Sequence, residues 1–523
     1  MNSSAIRDTD VLIIGAGPTG LVLALWLTLM GVRVRVVDKT AEPGTTSRAL
    51  AVQARTLEFY NQIGLANAIV GCGRKAVAAN LWVAGNNVAR AVFGDMGEGL
   101  SPFPYALIFP QDEHERLLID RLTKVGVHVE RQTELLAFEE ANDHVIARLK
   151  RVNGATETCE TSYIAGCDGA HSIVREALKI GFPGGDYDHL FYVADVEGGG
   201  TAMNGDVHVG LDKSEFLAVF PLKGEGRVRL VGTVREDAEH RQEKLSWNDV
   251  SKQVIEWMRI DVEHVNWFST YSVHHRVADH FRKGRAFLLG DAAHIHSPVG
   301  GQGMNTGIGD AVNLAWKLAA VVNGRADALL LDSYEPERIA FARRLVATTD
   351  RAFTGVTSPG AIARFVRLDL VPHLIPLLFS FRTVRRYMFR TVSQTVVNYR
   401  GSSLSEGRAG AVRGGDRLPW VKVGANDADA DKDNFTPLTS LDWQVHVYGN
   451  AEPEIQTMCD EKELSLHVFP WRADMHGTGL ERNASYLVRP DGYVALADPK
   501  GTAMAVMTFL SARKLSPTLH PKV

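Results

Sequence analysis

Residues 9–39 read TDVLIIGAGPTGLVLALWLTLMGVRVRVVDK, and the order of residue types in this stretch decides the fold. Residues 11–14 are a short apolar run suited to a buried parallel strand. Gly15-Ala16-Gly17-Pro18-Thr19-Gly20 follows as a G-x-G-x-x-G. Residues 21–30 carry strong helix formers and Gly31 supplies the C-terminal stop. Residues 32–37 are a second strand, closed by Asp38. Gly15 permits a tight strand-to-helix turn, Gly17 lets the backbone approach a pyrophosphate, and Gly20 lets helix and strand pack closely. The helix N-terminus offers free N–H groups and a positive dipole end to an anion. Asp38, eighteen residues after Gly20, sits where a carboxylate hydrogen-bonds ribose hydroxyls. The bland alternative is a glycine turn without a ligand. Strand, helix, second strand and acid falling in register argue against it.

An acid at this position suits an adenosine ribose and disfavours a 2′-phosphate, but does not separate FAD from NAD. Two further stretches do. Residues 163–175, YIAGCDGAHSIVR, run from an apolar approach into Asp168-Gly169, with Ser172 and Arg175 at helical spacing beyond. Residues 285–318, RAFLLGDAAHIHSPVGGQGMNTGIGDAVNLAWKL, hold a strand-like run over 286–289, Gly290-Asp291, a Pro/Gly loop, and a helix from about Met304. In that helix Ile308, Ala311, Val312, Ala315, Leu318 and Ala319 recur at helical spacing.

Together the G-x-G-x-x-G, the D-G-x-x-S-x-x-R at 168–175 and the G-D-A-A-H with P-x-G-G-x-G-M-N at 290–305 resemble the class A flavoprotein aromatic hydroxylases. These are single-component, para-hydroxybenzoate hydroxylase-type FAD monooxygenases. Ser47-Arg48-Ala49 with Arg55-Thr56-Leu57-Glu58, and Pro110-Gln111 with Glu115, extend the resemblance. It implies FAD as bound cofactor and NADPH or NADH as a transient co-substrate, since the chain has one dinucleotide fingerprint only. It also implies that reduced flavin takes O2 to a C4a-hydroperoxide, which hydroxylates a phenolic or other aromatic small molecule. By resemblance, Gly15, Gly17, Pro18, Thr19 and Gly20 meet the pyrophosphate, and Asp38, with Lys39 beside it, the adenosine ribose. Arg48 and Gln111 line the ribitol and pyrophosphate side, and Asp168 supports the fold and the nicotinamide route. Asp291 contacts ribitol or pyrophosphate. Pro298, Gly301, Gly303, Met304 and Asn305 lie against the isoalloxazine, where a helix N-terminus favours the anionic reduced ring.

The fold expected is α/β and α+β. A Rossmann-like FAD-binding domain with a parallel sheet (1–75, 105–185, 281–345) precedes a helical segment (346–405). An antiparallel-sheet substrate domain (76–104, 186–280) is read from alternating runs at 191–196, 207–210, 216–220 and 227–234. Phe216, Ala218 and Phe220 share one face of it, and Phe220 and Pro298 are the candidate substrate contacts. Residues 406–523 resemble the thioredoxin-like C-terminal domain of the phenol and polyketide hydroxylases, through Gly415-Asp416-Arg417-Leu418-Pro419-Trp420 and Tyr486-Leu487-Val488-Arg489-Pro490-Asp491-Gly492. Leu496 stands where those proteins usually carry tryptophan. Without C-x-x-C this domain is read as a packing or dimerisation module, in a monomer or homodimer.

Composition narrows the rest. The 523 residues carry 57 Lys+Arg against 61 Asp+Glu, a formal charge of −4, so no basic excess favours nucleic acid. Four cysteines without C-x-x-C spacing fit a reducing cytoplasm. Asp8, Asp10 and the glycines exclude a signal peptide or membrane span at 11–30. The apolar run 370–381 contains Pro372 and Pro376, and Arg382, Arg385, Arg386 and Arg390 follow. A membrane-surface helix is the sharper reading there, and a solvated accessory helix the favoured one, without stable membrane insertion. His294 and His296 near Asp291 suggest a metal site less well than a strand-to-loop turn. Ser172 lacks a G-x-S-x-G elbow. No metal is expected, and spacing names no base that would deprotonate a phenol. Epoxidation, Baeyer–Villiger oxidation, antibiotic inactivation and a non-catalytic flavin sensor are the competing functions, while a halogenase's W-x-W-x-I-P is missing.

Overall fold

The computed structural model describes residues 8–44, 49–211, 216–234, 245–297, 299–357, 365–366, 370–424 and 432–516, with the side chains at 187–189, 299, 352–357 and 371 left aside. Strand β1 (Thr9–Ile14) feeds helix α1 (Pro18–Leu29), and β2 (Val34–Val37) follows. The helix starts three residues earlier than residue 21 because Pro18 fills its first turn, where no N–H is needed. It is apolar all round and buried from Gly20 to Leu27, as a helix inside a large core must be. Gly31 turns the chain at φ +78° and delays β2 to Val34.

Helix α2 (Ala54–Gln62) comes next, then β3 (Ala78–Val83), β4 (Asn86–Val92), α3 (Gln111–Lys124) and β5 (Thr156–Gly166). Beyond them lie β6 (Gly184–Gly200), β7 (Val207–Leu211), β8 (Phe216–Pro221), β9 (Arg227–Thr233) and β10 (Ile260–Val277). The chain returns through β11 (Ala286–Leu288) to α4 (Gly303–Val322) and α5 (Tyr334–Thr357). Helices α6 (Val371–Ser380) and α7 (Arg382–Val392) follow.

Two sheets position the site. In the first, β11, β5, β1 and β2 run parallel in that order, with Ile14 opposite both Val37 and Gly166, and Gly166 opposite Leu288. All four strands therefore end at one edge, the edge where open α/β sheets bind ligands. The second has the order β10-β6-β9-β8-β7-β3-β4. It is antiparallel except at β7–β3, so the expectation of a purely antiparallel sheet needs one correction. The chain leaves the first unit at residue 78 and lays β3 beside β7 in the same direction.

One face of this sheet packs Leu217, Val219 and Leu230 against Val254, Ile255 and Met258. The other carries Phe216, Phe220, Trp267 and Tyr271 and turns toward the first unit, where Phe220 meets Leu50, Ala51 and Ala76. On α6 and just beyond it, Leu374, Leu377, Leu378 and Phe381 are exposed. Among the described residues no helix is long and apolar enough to cross a membrane.

The C-terminal part forms β12 (Gln444–Tyr448), β13 (Ser465–Phe469), β14 (Ser485–Val488), β15 (Val494–Asp498) and α8 (Ala503–Ala512). β12 and β13 are parallel, and β14 and β15 add antiparallel at the other side. Its core continues into the first unit through Trp316 and Leu330, which pack with Trp443, Val445 and Leu487.

Candidate functional site

The three sequence stretches meet at the common strand edge. A Cβ on Gly15 would stand 2.3 Å from the Cys167 carbonyl oxygen and one on Gly20 2.1 Å from that of Gly15. First and second stretch are thus in backbone contact, and the Cys167 N–H donates to the Ile14 carbonyl at 2.7 Å. Cβ atoms on Gly290 and Gly307 would meet Thr19 Oγ1 at 2.7 and 2.3 Å, so the third stretch touches the first. Arg175 ties the second to the third, donating from Nη1 to the Ala292 carbonyl at 3.0 Å.

Gly17 differs from its neighbours. A Cβ there would meet nothing within 4 Å, so its backbone borders open space. Helix α1 begins at this space, and neither it nor α4, whose Gly307 lies against Thr19 of α1, has a side-chain cap or an acid in the first turn. Their first N–H groups are left for an outside acceptor, which suits a pyrophosphate or an anionic ring. Asp168 Oδ1, His296 Nε2 and Ser297 Oγ are buried without a hydrogen-bond partner among the described residues, which burial makes costly unless a ligand answers them. Open space at Gly17, uncapped helix ends and orphaned polar atoms fit an extended, anionic dinucleotide.

Asp38 closes β2 as expected, but also braces the glycine turn. Its Oδ2 accepts the Ala16 N–H at 2.7 Å, and Oδ1 accepts the Thr40 N–H at 2.8 Å and the Thr40 hydroxyl at 2.6 Å. Lys39 is exposed beside it. Gln111 opens α3, donates to Glu115 Oε1 at 2.8 Å, and its own N–H reaches the Ala49 carbonyl at 3.0 Å. Glu115 also accepts the Gly44 N–H at 3.1 Å, and burial raises its carboxyl pKa. Ser172 caps the short helix Ile173–Ala177, accepting the Arg175 N–H at 3.0 Å, and Asp168 adds to it by accepting the Val174 N–H at 3.2 Å; burial raises the Asp168 pKa too. Asp291 is exposed on the turn after β11. Arg48 and Pro298 lie outside the described residues.

The loop before α4 is held tightly. Gly300 and Gly301 take φ +77° and +61°, and a Cβ on Gly301 would approach Ala51 Cβ to 2.9 Å. Asn305 accepts the Gln53 N–H at 2.9 Å and the Thr56 hydroxyl at 2.8 Å, and donates to the Ala51 and Gly301 carbonyls, both at 2.8 Å. It clamps the loop to the start of α2. Met304 packs on the main core. Gly303 faces His296, whose Nδ1–H meets the Ser297 carbonyl at 2.7 Å. Burial lowers His296 to about 4, so its Nε2 is a neutral acceptor.

Sequence reasoning missed the charges behind the loop. Asp310 on α4 accepts the Gly290 N–H at 3.0 Å, pairs with His294 Nε2 at 2.7 Å and accepts from Arg338 Nε at 2.6 Å. Burial alone would raise the Asp310 carboxyl; Arg338 and His294 outweigh it and hold it below the usual carboxylate value. His294 is therefore a partner of Asp310, and among the described residues no cluster of three His, Cys, Asp or Glu could hold a metal. Arg338 also donates to the Thr306 carbonyl at 3.0 Å. Also missed was the pair in which Arg229 Nε and Nη2 reach Asp195 at 2.6 and 2.8 Å. It lies on the aromatic face beside Trp267, with Phe220 directly opposite Arg229. No local signal marks either set, because the partners come from distant strands and helices.

Residues 8–349 match the family described as FAD binding domain. The chain is 33% identical to the 6-methylpretetramide 4-monooxygenase of Streptomyces rimosus, over 97% of this chain and 94% of that protein. It is 36% identical to a rifampicin monooxygenase of Rhodococcus hoagii, over 75% and 79%. Among solved structures it superposes on the OxyS anhydrotetracycline hydroxylase from Streptomyces rimosus with a TM-score of 0.77 and 28% identity, covering 98% of this chain and 100% of that one.

Proposed function

The chain belongs to the FAD-binding class A aromatic hydroxylase family, among its tetracycline- and polyketide-hydroxylase-like members, and on that premise we propose a role for each part of the cleft. The protein is a flavin-dependent monooxygenase of aromatic or polyketide substrates, with FAD bound and NAD(P)H the reductant typical of the family. The observation that carries the residue-level reading is the convergence of the three stretches around the open space at Gly17. Bound FAD supplies hydride acceptance and oxygen activation. The chain's residues supply binding, orientation and exclusion of water. Gly15, Gly17, Pro18, Thr19 and Gly20 hold the pyrophosphate at the start of α1. Asp38 and Lys39 hold the adenosine ribose. Arg48, Gln111 and Asp291 hold the ribitol side, and Asp168 shapes the nicotinamide route. Pro298, Gly301, Gly303, Met304 and Asn305 form the wall against the isoalloxazine. The first N–H groups of α4 stabilise negative charge on the reduced ring.

Phe220 and its neighbours Phe216, Trp267 and Tyr271 form an aromatic floor for a polycyclic phenolic substrate, and Pro298 is the second candidate contact. Each turnover consumes NAD(P)H, a proton and O2, converts one ring C–H into C–OH, and releases NAD(P)+ and water. The likeness to a rifampicin monooxygenase supports a second reading, oxidation of an aromatic antibiotic that inactivates it. We read residues 406–523 as a thioredoxin-like module without redox chemistry, its one cysteine, Cys459, being buried and free. It serves packing or dimerisation in a cytoplasmic monomer or homodimer.

The experiment is a screen of polycyclic phenols for stimulated oxidation of NADPH and NADH, with product mass. A product one oxygen heavier with its rings intact supports hydroxylation. Ring opening or loss of antibiotic potency favours the second reading, and no stimulation by any aromatic contradicts both.

A further inference from the structure

The turn Arg489-Pro490-Asp491-Gly492 joins β14 to β15, with Gly492 at φ +73°. Arg489 and Asp491 are buried. Arg489 donates to both oxygens of Glu337 on α5, at 2.8 and 3.0 Å, and to both of Asp491, at 3.0 and 2.6 Å. From α4, Trp316 Nε1 donates to Asp491 Oδ2 at 3.1 Å. From α2, Arg55 Nη2 donates to the Asp491 carbonyl at 2.7 Å and Gln62 Nε2 to the Pro490 carbonyl at 3.1 Å. One turn of the C-terminal unit is therefore bonded to three helices of the first unit at once.

Those helices are the ones that carry the loop at 300–305. Asn305 on α4 clamps that loop to the start of α2. Arg338, the neighbour of Glu337 on α5, holds Asp310 and the Thr306 carbonyl. Buried ion pairs add little net stability over apolar packing, because desolvation offsets their attraction. At its centre the network is satisfied, both carboxylates of Glu337 and Asp491 being bonded by Arg489, and such a network provides a unique arrangement of the elements it joins. A turn that fixes the spacing of α2, α4 and α5 fixes the geometry of the loop between them.

We propose that this turn is the keystone of the flavin site, and that Asp491 is a positioning residue for FAD retention, acting through α2 and α4 on Asn305 and the 300–305 loop. The proposal rests on the reading that FAD occupies the cleft. It gives the C-terminal unit a part in cofactor binding without any contact to the cofactor.

The test uses the full chain. Asp491→Asn keeps the side chain's shape and removes its charge. FAD affinity is measured by flavin fluorescence on reconstitution, and Tm with and without added FAD. The FAD dissociation constant should rise roughly tenfold, within the range by which residues distant from a ligand modulate its binding. The rise in Tm that FAD confers should shrink accordingly. Trp316→Phe, which keeps an aromatic ring and removes one hydrogen bond, should shift both in the same direction by less, and it carries the test if Asp491→Asn does not fold. Glu406→Gln, which breaks the more exposed Arg513–Glu406 pair of the same unit, should leave both at wild-type values. A folded Asp491→Asn protein with an FAD affinity within twofold of wild type overturns the proposal, whatever its Tm; where that variant does not fold, an unchanged affinity in Trp316→Phe overturns it. Wild-type protein that takes up no FAD in the same assay overturns the reading of the cleft, and this proposal with it.

Discussion

Asp291 and Cys167 stand at the ends of neighbouring strands of one sheet, yet their surroundings give them opposite parts. Asp291 is exposed on the turn after β11, where an anionic oxygen can meet ligand hydroxyls. The Cys167 thiol is packed against Gly20 beneath the glycine turn, and burial pushes its pKa well above the usual value, so it stays neutral and acts as a small apolar group. Asp291→Ala should therefore lose bound FAD on gel filtration far more readily than Cys167→Ala, read as the flavin-to-protein absorbance ratio. Equal retention in the two would remove Asp291 from the site. Asp38 shows how one carboxylate serves two ends: its bond to the Ala16 N–H shapes the turn that its position at the strand end completes.

At the scale of elements, α4 matters most, because it presents its N-terminus to the cleft and its buried charges to α5. Asp310→Asn leaves an acceptor for the Gly290 N–H but strands Arg338 in the interior. Breaking such a pair from one side costs roughly 3–5 kcal/mol, which should appear as a lowered urea midpoint with unchanged slope. The double variant Asp310→Leu/Arg338→Met, which leaves no charge unpaired within the pair, should recover part of that loss. The apolar stripe of α4 was legible from residues 308, 311 and 312, and β1, α1 and β2 from glycine spacing and helix formers, because these signals are local. Asp310 was not legible, since it sits inside the same stripe and its partner Arg338 lies 28 residues away. The parallel pairing of β3 with β7 was hidden for the same reason: Ala79 and Val207 belong to segments that meet only when the first unit has folded. In the C-terminal part the stretches 415–420 and 486–492 stood out as motifs, but the reach of Arg489 and Asp491 into three foreign helices could not be read from them.

For the molecule as a whole, acid is the sensitive direction. Burial lowers His114 and His446 to about 3 and His296 to about 4, from the ordinary 6.5, and these residues lie in separate parts of the chain. Each is neutral when folded and takes up a proton more readily when unfolded. Their contribution is complete above pH 6.5 and is lost as pH falls toward and through the folded values. Every tenfold difference in proton affinity between the folded and unfolded chain is worth roughly 1.4 kcal/mol. Tm measured from neutral pH down to about pH 4 should decline, and His446→Gln should make the decline shallower. An unchanged slope would take His446 out of the acid loss, since a carboxylate such as Asp310, which Arg338 and His294 hold below its ordinary 3.8, gives up its contribution only below that pH. The bond between Arg55 and Asp491 has a further meaning, one of timing. The two residues are 436 positions apart, so the contact closes one of the longest loops the chain contains, and contacts of such separation form late. On a ribosome the glycine turn emerges early, but the brace behind α2 cannot exist until almost the last strand has been synthesised. Tight cofactor loading is then an event of the finished polypeptide, and a chain that stops before Asp491 would hold it more weakly.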